Sequence, residues 1–459
     1  MRNAMKPILK YITVFLLAIV LMVSVLVGVA VIPRQRIQNK AEESAELLML
    51  RDVNFYNLNG GHEGRIVIRT GDCSKIDQVA DSISLSMAYY LEADHPLESV
   101  LWAKYYDGRK ETGSYIYTMN ESYQKTVKEN VPANMQYLRY WHGSLVLIKP
   151  MLMFWNIRQM KIYHGVVIAV LLLMLLILLI KKGLKAEAVS MGIAMIAISI
   201  WFVPLSLEYT WMFLLMLIVS IVAVKLALSK RITSLNMLFF VTGICAAYFD
   251  FLTTETVTLL VPLLLAIRIM KDDMGEKKKW VFSGKSIVLW GIGFIRTWAA
   301  KWIISAIVFD QDVIQYIQDN VLLHLGTTDD IPAIRQIYEG LLRNIAPLFP
   351  FGYGMAGAAV FLVMLFIFVL IPVYRGQISL KKKVNWERIL LYLLLGLIVY
   401  VRFIVLRHHV WRHYFFTYRA QAATILALCF IILELVEPVP THRKAVKTHG
   451  SDNPHAVSE

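Results

Sequence analysis

The apolar residues of this chain are concentrated in long runs, which short segments rich in Lys and Arg separate. About 20 apolar residues in a helix suffice to cross the ~30 Å hydrocarbon core of a bilayer. Runs of this kind occur at residues 11–32, 164–181, 187–206, 209–228, 233–250, 254–270, 286–309, 354–374, 388–406 and 414–436. The pattern predicts an all-α polytopic membrane protein with about ten transmembrane helices.

The first run follows Arg2, Lys6 and Lys10 and therefore has the charge pattern of a signal peptide. Its apolar stretch is longer than the 7–15 residues typical of a cleaved signal, and the segment at 33–36, Pro-Arg-Gln-Arg, makes a poor cleavage site. Residues 1–33 are therefore predicted to be an uncleaved membrane anchor.

The charges between the runs predict the orientation. If the N-terminus is cytoplasmic, the Lys-rich loops all lie inside, as the positive-inside rule requires. These loops are residues 181–185, 225–231, 271–285 and 375–388. We therefore expect a multi-pass protein of the bacterial plasma membrane with both termini in the cytoplasm. Residues 164–436 form the multi-span domain, with an outer loop at 310–353, and residues 437–459 form a disordered cytoplasmic tail.

Composition agrees with a membrane protein. Only 17% of the residues are charged, against about a quarter in a soluble domain, and mean hydropathy is +0.55. The chain has 47 Lys and Arg against 33 Asp and Glu, a net charge of +14. The basic residues cluster at the ends of apolar runs and no nucleic-acid motif is present, so membrane lipids, and not nucleic acid, are the expected partners.

Residues 34–163 form a first outer segment that is too long to be a simple connector. Ile83, Met87 and Leu91 recur at helical spacing, and Pro96 separates this predicted helix from a second, short one. Residues 138–165 mix Trp and Tyr with Arg and Lys, which predicts a helix lying along the membrane surface. A purely structural cap is the alternative interpretation of the whole segment.

Charged residues inside predicted spans are costly and indicate function. Arg296, Lys301 and Arg402 lie in such positions, while Asp250 and Glu255 flank a turn after the fifth span. Mutual pairing would explain any single pair. It does not explain the excess of cations predicted at the outer face, which an anionic ligand such as phosphate would relieve.

The segment "RHHVWRHYFFTYRAQ", residues 407–421, contributes much of this excess between the last two spans. The residues predicted to bind a phosphate or lipid-linked donor are Arg139, His142, Arg296, Lys301, Arg402, His409, Arg412, His413 and Arg419. Contact with surface lipid is the alternative for this segment. No cofactor is predicted. The histidines of the segment are spaced to bind a divalent metal, but they have no carboxylate ligand nearby, so contact with phosphate is favoured.

An outer cavity with excess Arg and His suits a polyprenyl phosphate that carries a sugar. Glycosyl transfer from such a donor needs a carboxylate to take a proton from the acceptor hydroxyl and cations to stabilise the departing phosphate. The chain has no GxGxxG or Walker A motif, so a soluble nucleotide sugar is an improbable donor. Trp141, Tyr248 and Glu255 are predicted to contact the sugar or the acceptor.

This layout resembles the GT-C superfamily of integral membrane glycosyltransferases, whose members have many spans and a long first outer loop. The segments "YLRYWHGSLVLIKPMLMFWN", "AYFDFLTTETVTLLVPLL" and "RHHVWRHYFFTYRAQ" are similar to blocks in bacterial membrane proteins of this type. The resemblance implies a carboxylate base in an outer loop, for which Asp94 or Glu92 best matches the family's placement and Asp250 comes second. The basic segment at 33–36 departs from the family, which often has an acidic pair there.

The sequence therefore predicts a membrane glycosyltransferase that uses a polyprenyl-phosphate-linked sugar to modify an outer-surface glycan or lipid acceptor. A polysaccharide polymerase of the O-antigen type would share the same donor site. A lipid or solute transporter without enzymatic activity would need inverted repeats, and none is visible. A structural or sensory protein is a further alternative, although the short tails carry no signalling module.

Overall fold

A computed structural model describes residues 2–53, 55–57, 75–113, 117–309, 331–348 and 370–438, with isolated positions between 313 and 319 and between 359 and 367. Most of this part is helical, and each of its two small sheets has two strands. The predicted span at 354–374 lies mostly outside the described residues. The same holds for most of the outer loop at 310–353 and of the tail at 437–459.

Along the chain, the helices are α1 (Arg2–Ala30), α2 (Gln38–Met49), α3 (Gln78–Tyr90), α4 (Pro96–Trp102), α5 (Gly108–Thr112), α6 (Met119–Lys128), α7 (Leu145–Met151), α8 (Ile157–Lys181), α9 (Lys185–Ala197), α10 (Leu207–Leu228), α11 (Ile232–Phe249), α12 (Val257–Ile269), α13 (Glu276–Val308), α14 (Ala333–Ile345), α15 (Trp386–Val405), α16 (Arg407–Arg412), α17 (Tyr414–Thr417) and α18 (Ala422–Leu435). The strands are β1 (Phe55–Asn57), β2 (Lys75–Asp77), β3 (Ile378–Leu380) and β4 (Val436–Pro438). Seven helical segments in the described part are long and apolar enough to cross a membrane: Ile8–Ala30, α8, α10, α11, α13, α15 and Tyr414–Leu435.

Two of the predicted spans are shorter than the apolar pattern indicated. The run at 187–206 forms the 13-residue α9 and then a 3₁₀ segment, Ile200–Leu205, after Ser199 takes a positive φ of 54°. The run at 254–270 forms α12, also of 13 residues, which is about 20 Å of helix and less than a bilayer core. The other helices enclose α12, so its apolar residues face protein and a full membrane crossing is not needed to bury them.

The described residues of the segment 31–156, here called the cap, pack on one end of the transmembrane helices. The helices α4 and α7 contact α1, while α3 contacts α10. The predicted break at Pro96 is confirmed, because α3 ends at Tyr90 and α4 begins at Pro96. Strands β1 and β2 form an antiparallel hairpin that pairs Phe55 with Asp77.

The segment at 138–165 is not the single surface helix that its composition predicted. It consists of a buried turn, the seven-residue α7 and the start of α8. Tyr140 and Trp141 are 2% and 1% exposed, and the Trp141 indole donates a hydrogen bond to the Thr297 carbonyl at 2.7 Å. Aromatic residues that suggested a membrane interface therefore fill the contact between the cap and α13.

A buried lysine ties the cap to the end of α1. The Lys149 ammonium, 0% exposed, donates to the carbonyls of Ala30 at 3.1 Å and Leu91 at 2.9 Å. Burial, assisted by the charge of Arg34, lowers the pKa of Lys149 to about 8. Above about pH 8 the neutral amine still donates to the carbonyls and avoids the cost of a buried charge.

The lowered pKa of Lys149 makes the stability of the protein depend on pH. The unfolded chain retains the Lys149 proton up to about pH 10.4, whereas the folded chain loses it near pH 8, so alkaline pH favours folding. We expect the stability difference between wild type and Lys149→Met to rise by about 3 kcal/mol between pH 7 and pH 11. Chemical unfolding in detergent across this range measures it, and parallel pH profiles for the two proteins would contradict it.

At the end of the bundle opposite the cap, charges form a buried network. The Arg268 guanidinium bonds to Glu187 at 2.9 Å and to Glu434, while Arg388 bonds to Glu276 at 2.7 Å and to Glu434 at 3.3 Å. Strands β3 and β4 pair beside it. The network closes this end, because each buried charge has a partner of opposite sign.

Candidate functional site

A cavity of about 530 Å³ lies where the cap meets the membrane helices. We call it the cationic chamber. Its lining comes from the β1–β2 hairpin, α3, α5, the turn before α7, the first turn of α10, the turn after α11 and the segment 408–416. The residues that line it are Phe55, Lys75, Val79, Arg109, Tyr137, Arg139, Tyr140, Glu208, Phe251, His408, His409, Arg412, His413, Phe415 and Phe416.

Four cations and three histidines face this chamber, against one carboxylate among the described lining residues. The Lys75 ammonium lies over the rings of Phe55 and Phe415, 4.5 and 4.6 Å from their centroids. Arg412 is exposed and forms no ion pair or hydrogen bond with any residue that the structure describes. The chamber therefore offers positive charge to a ligand, and aromatic rings stand beside that charge.

Arg139 and Arg109 complete the set of cations. The Arg139 guanidinium donates to the Tyr137 hydroxyl at 2.9 Å and stacks over the rings of Tyr137 and Tyr140. Arg109 is bidentate to Asp107, with both N···O distances 2.8 Å, which neutralises part of its charge. Of the four cations, Arg109 is therefore paired with a carboxylate, whereas Arg412 forms no ion pair with a described residue.

The histidines stand on the short helix α16 and just after it. The His409 Nε2–H donates to the Leu252 carbonyl at 2.9 Å, which fixes the orientation of that ring. The His413 ring lies 4.7 Å from the His409 ring and stacks on Phe416 at 5.3 Å. Stacking and hydrogen bonding thus position the imidazoles on one wall of the chamber.

The helix α14 supports this wall from behind. Arg343 donates to the Trp411 carbonyl at 3.1 Å, and its guanidinium stacks over the Trp411 ring at 4.4 Å. The Glu339 carboxylate accepts from the Trp411 indole at 2.7 Å. Because Trp411 and Arg412 are adjacent, these contacts hold the backbone from which Arg412 extends.

A buried, irregular turn at residues 250–256 forms the floor. Leu252 takes a positive φ of 63°, and its carbonyl accepts from Arg402 at 2.6 Å as well as from His409. Arg402 also bonds bidentately to Glu255 at 2.5 and 2.9 Å. Non-helical backbone among membrane helices must be satisfied by protein or by a water-filled cavity, and here Arg402 does so directly.

The carboxylates gather on the side of the chamber where the cap meets α10. Glu208 lines the cationic chamber and also an adjoining cavity of about 130 Å³, which Asp77 lines as well. Asp77 caps α3 by accepting from the Ala80 amide at 3.1 Å, and burial raises the pKa of Asp77 to about 7. One of these carboxyl groups, that of Glu208, thus shares the chamber with the cations.

A second chamber of about 640 Å³ adjoins the first and shares Tyr137 and Arg139 with it. Its described lining is less charged, with Lys104 and Arg139 as its cations. The remaining residues are Ile83, Tyr105, Ala133, Asn134, Met135, Gln136, Tyr137 and Tyr316. The Tyr137–Arg139 pair therefore stands at the boundary between a strongly cationic space and a mostly neutral, polar one.

The structure brings some of the sequence-predicted site residues together. Those that line the cationic chamber are Arg139, His409, Arg412 and His413. Those that lie directly behind its lining are His142, Asp250, Glu255 and Arg402. Asp250 accepts from the Thr253 hydroxyl at 2.5 Å and precedes the lining residue Phe251. Burial lowers the pKa of His142 to about 3, so this histidine is neutral.

The other predicted residues lie elsewhere. Trp141, Tyr248, Lys301 and Arg419 are buried in the core: Tyr248 donates to the Met22 carbonyl at 3.0 Å, Lys301 to Leu101 at 2.7 Å and Arg419 to Phe415 at 3.0 Å. Glu92 and Asp94 are exposed in the turn between α3 and α4. Arg296 is exposed on α13 beside Ile295, on a face that the apolar side chains mark as lipid-facing.

Lys75, Arg109, Tyr137 and Glu208 are not among the site residues predicted from the sequence. Lys75 and Arg109 lie in the polar segment between the first two spans, where charged residues are ordinary. Glu208 lies in the predicted turn between the third and fourth spans, among the charged groups near the ends of the spans, but the sequence gives it no specific role. Only Tyr137 had a local signal, since it adjoins the aromatic and basic stretch that begins at 138. No group of three or more His, Cys, Asp or Glu in the described residues is arranged to hold a metal ion.

Comparison with known proteins gives no match to a family model, to a curated protein or to a solved structure. The functional argument therefore rests on the chemistry of the chambers.

Proposed function

We propose that this protein is a membrane glycosyltransferase that moves a sugar from a polyprenyl-phosphate-linked donor to a glycan or lipid acceptor at the outer surface of the bacterial plasma membrane. The observation that carries the proposal is the cationic chamber at the boundary between cap and membrane helices. In the proposed orientation both termini are cytoplasmic and the cap is outside, as the Lys-rich loops favour.

The charge of the chamber supports a phosphate ligand. Arg412 forms no hydrogen bond or ion pair with a described residue, and the guanidinium of Arg139 lines the same chamber. Planar guanidinium groups bind phosphate oxygens bidentately, and charge-assisted bonds of this kind are about twice as strong as neutral ones. The same groups would stabilise the negative charge that develops on a departing phosphate.

The aromatic residues support a sugar next to that phosphate. Tyr140, Phe251 and Phe416 line the chamber within reach of the cations, and aromatic faces pack against apolar faces of other rings. The adjoining chamber offers amides and hydroxyls that suit a polyhydroxylated acceptor. Two spaces that meet at Arg139 fit a reaction between a donor and a separate acceptor.

Asp250 is the strongest of the three bases predicted from the sequence, because it adjoins the chamber lining whereas Glu92 and Asp94 are solvent-exposed. Its carboxylate is engaged by the amide and hydroxyl of Thr253, however, which is the geometry of a turn cap. We therefore propose Asp250 mainly as a residue that shapes the floor.

A polysaccharide polymerase would use the same donor site and differ only in its acceptor. Product length separates the two activities: a single transfer adds one sugar, whereas a polymerase gives a ladder. A transporter would bind the lipid phosphate and move it across vesicles without releasing polyprenyl phosphate from its sugar.

The donor site predicts the effect of removing Arg412. With Arg412→Gln, we expect the affinity for decaprenyl phosphate in detergent micelles to fall about 10- to 100-fold, because one charge-assisted contact is lost. Arg296→Gln is the matched control, since it removes an exposed arginine on the lipid-facing side. Decaprenol, which lacks the phosphate, should bind wild type and both variants equally weakly.

Turnover tests the reaction itself. Purified protein should release polyprenyl phosphate from a polyprenyl phosphate sugar only when an acceptor is present. Equal affinity of wild type and Arg412→Gln for decaprenyl phosphate would exclude the cationic chamber as the phosphate site. Transport of the intact lipid across vesicles without release of the sugar would show that the protein is a transporter and not a transferase.

A further inference from the structure

Glu208 occupies a distinctive position in the cationic chamber. It is the second residue of α10, and the Ser206 hydroxyl accepts from its amide at 3.3 Å, so the helix start fixes its backbone. Its side chain lines both the cationic chamber and the smaller cavity next to Asp77.

The carboxylates around Glu208 are all engaged. Asp81 accepts from the Leu207 amide at 2.7 Å and pairs with Lys161 at 2.5 Å. Asp250 is held by Thr253, and Glu255 by Arg402. The Glu208 side chain, by contrast, makes no hydrogen bond or ion pair with any residue in the described ranges, although it is only partly exposed.

We infer that Glu208 is the general base of the proposed transfer. This inference rests on the proposed function and names the residue that activates the acceptor. The Glu208 carboxylate takes the proton from an acceptor hydroxyl as that oxygen forms a bond to the anomeric carbon of the donor sugar. The bond from this carbon to the phosphate oxygen breaks, and the phosphate leaves with the electron pair.

The arrangement of the chamber supports this assignment over the other carboxylates. The leaving phosphate requires cations, and Arg139, Arg412 and Lys75 line the same space as Glu208. A base must reach the acceptor hydroxyl directly, so a carboxylate already held by a turn or a salt bridge is less suited to the role. Glu208 has an uncommitted carboxylate in the wall of this space.

The first test compares turnover in Glu208→Gln with turnover in wild type and Glu98→Gln. Glu98 is a solvent-exposed carboxylate on the cap helix α4, outside both chambers, and serves as the matched control. Loss of the base should lower turnover about 100- to 10,000-fold, while Glu98→Gln keeps wild-type turnover. Glu208→Asp, which retracts the carboxylate but keeps its chemistry, should recover part of the activity.

A second measurement does not depend on turnover. At a pH at which Glu208 is ionised, Glu208→Gln should bind decaprenyl phosphate about fivefold more tightly than wild type, because a like charge near the phosphate disappears. Binding of decaprenyl phosphate by Glu208→Gln also shows that this variant folds. If Glu208→Gln and wild type bind decaprenyl phosphate with equal affinity, Glu208 does not lie near the bound phosphate.

The outcomes separate the two proposals. If wild type transfers sugar and Glu208→Gln transfers it equally well, the base is another residue and the proposed function stands. If wild type binds decaprenyl phosphate but transfers no sugar from any donor, the transferase and its base are both overturned. If Glu208→Gln loses turnover and binds decaprenyl phosphate more tightly than wild type, the result supports both the transferase function and Glu208 as its base.

Discussion

Replacing Arg402 by glutamine is expected to lower the free energy of unfolding by about 3–5 kcal/mol. The guanidinium is 7% exposed and bonds to both Glu255 oxygens and to the carbonyls of Leu252 and Thr253. Removing it leaves a buried carboxylate without its counter-charge and takes one donor from each of the two carbonyls, of which Leu252 keeps its bond from His409. Chemical unfolding in detergent micelles measures the loss.

Two comparisons isolate the cause of this loss. The double variant Arg402→Gln with Glu255→Gln should be more stable than Arg402→Gln alone, because the uncompensated charge is removed as well. Arg296→Gln, at an exposed position, should change stability by no more than about 0.5 kcal/mol. If the single and double variants lose the same free energy of unfolding, the Arg402–Glu255 ion pair does not stabilise the turn.

Arg402→Gln should also weaken ligand binding at the cationic chamber. Arg402 and His409 share the Leu252 carbonyl, so a loosened turn at 250–256 frees the wall that carries His409. We expect weaker binding of decaprenyl phosphate in Arg402→Gln even at temperatures where the protein remains folded. Arg402→Lys, which keeps the charge but not the bidentate geometry, should bind decaprenyl phosphate with an affinity between those of wild type and Arg402→Gln.

Replacing Gly243 by alanine is expected to cost about 3 kcal/mol or more, at the upper end of overpacking effects. The added Cβ would lie 2.0 Å from the Trp290 carbonyl oxygen on α13, and backbone atoms cannot move aside as a side chain can. Gly293 on α13 faces α11 in the same way, because a Cβ added there would lie 2.4 Å from the Phe240 carbonyl oxygen. Small residues let membrane helices approach this closely, so α11 and α13 would have to separate.

Gly291→Ala is the control for Gly243→Ala. It lies on α13 as well, but a Cβ there meets no atom within 4 Å, so alanine should be neutral or slightly stabilising through its helix propensity. Thermal unfolding in detergent compares the two variants directly. A Gly243→Ala protein as stable as Gly291→Ala would contradict the close crossing of α11 and α13.

The long apolar runs could be read without a structure because lipid demands the same property at every position of a spanning helix. The runs at 187–206 and 254–270 show where this reasoning stops. The residues of α12 are apolar because other helices surround it, and burial in protein selects the same residue types as lipid does, while α9 is buried on one side only and leaves Val189 and Ile196 exposed. Run length alone does not separate the two environments.

The candidate site was predictable to the extent that its residues stood out from an apolar background. Arg412 and His413 did so, because the positive-inside rule does not explain a cationic loop on the predicted outer side, and both line the chamber. Lys75 and Arg109 come from a polar segment in which charge carries no signal. Arg402 stood out equally, yet Glu255 and the Leu252 carbonyl take up its donors.

By itself, the sequence determined the class of this protein: a mostly helical membrane protein with a large segment between its first two spans. Hydrophobic periodicity and flanking charge are local properties, so a single chain reveals them. Only the tertiary structure decided which charges are paired and which face a cavity. Glu208 and Arg412 are about 200 positions apart, and only packing of the cap on α10 and α16 brings such distant residues into one chamber.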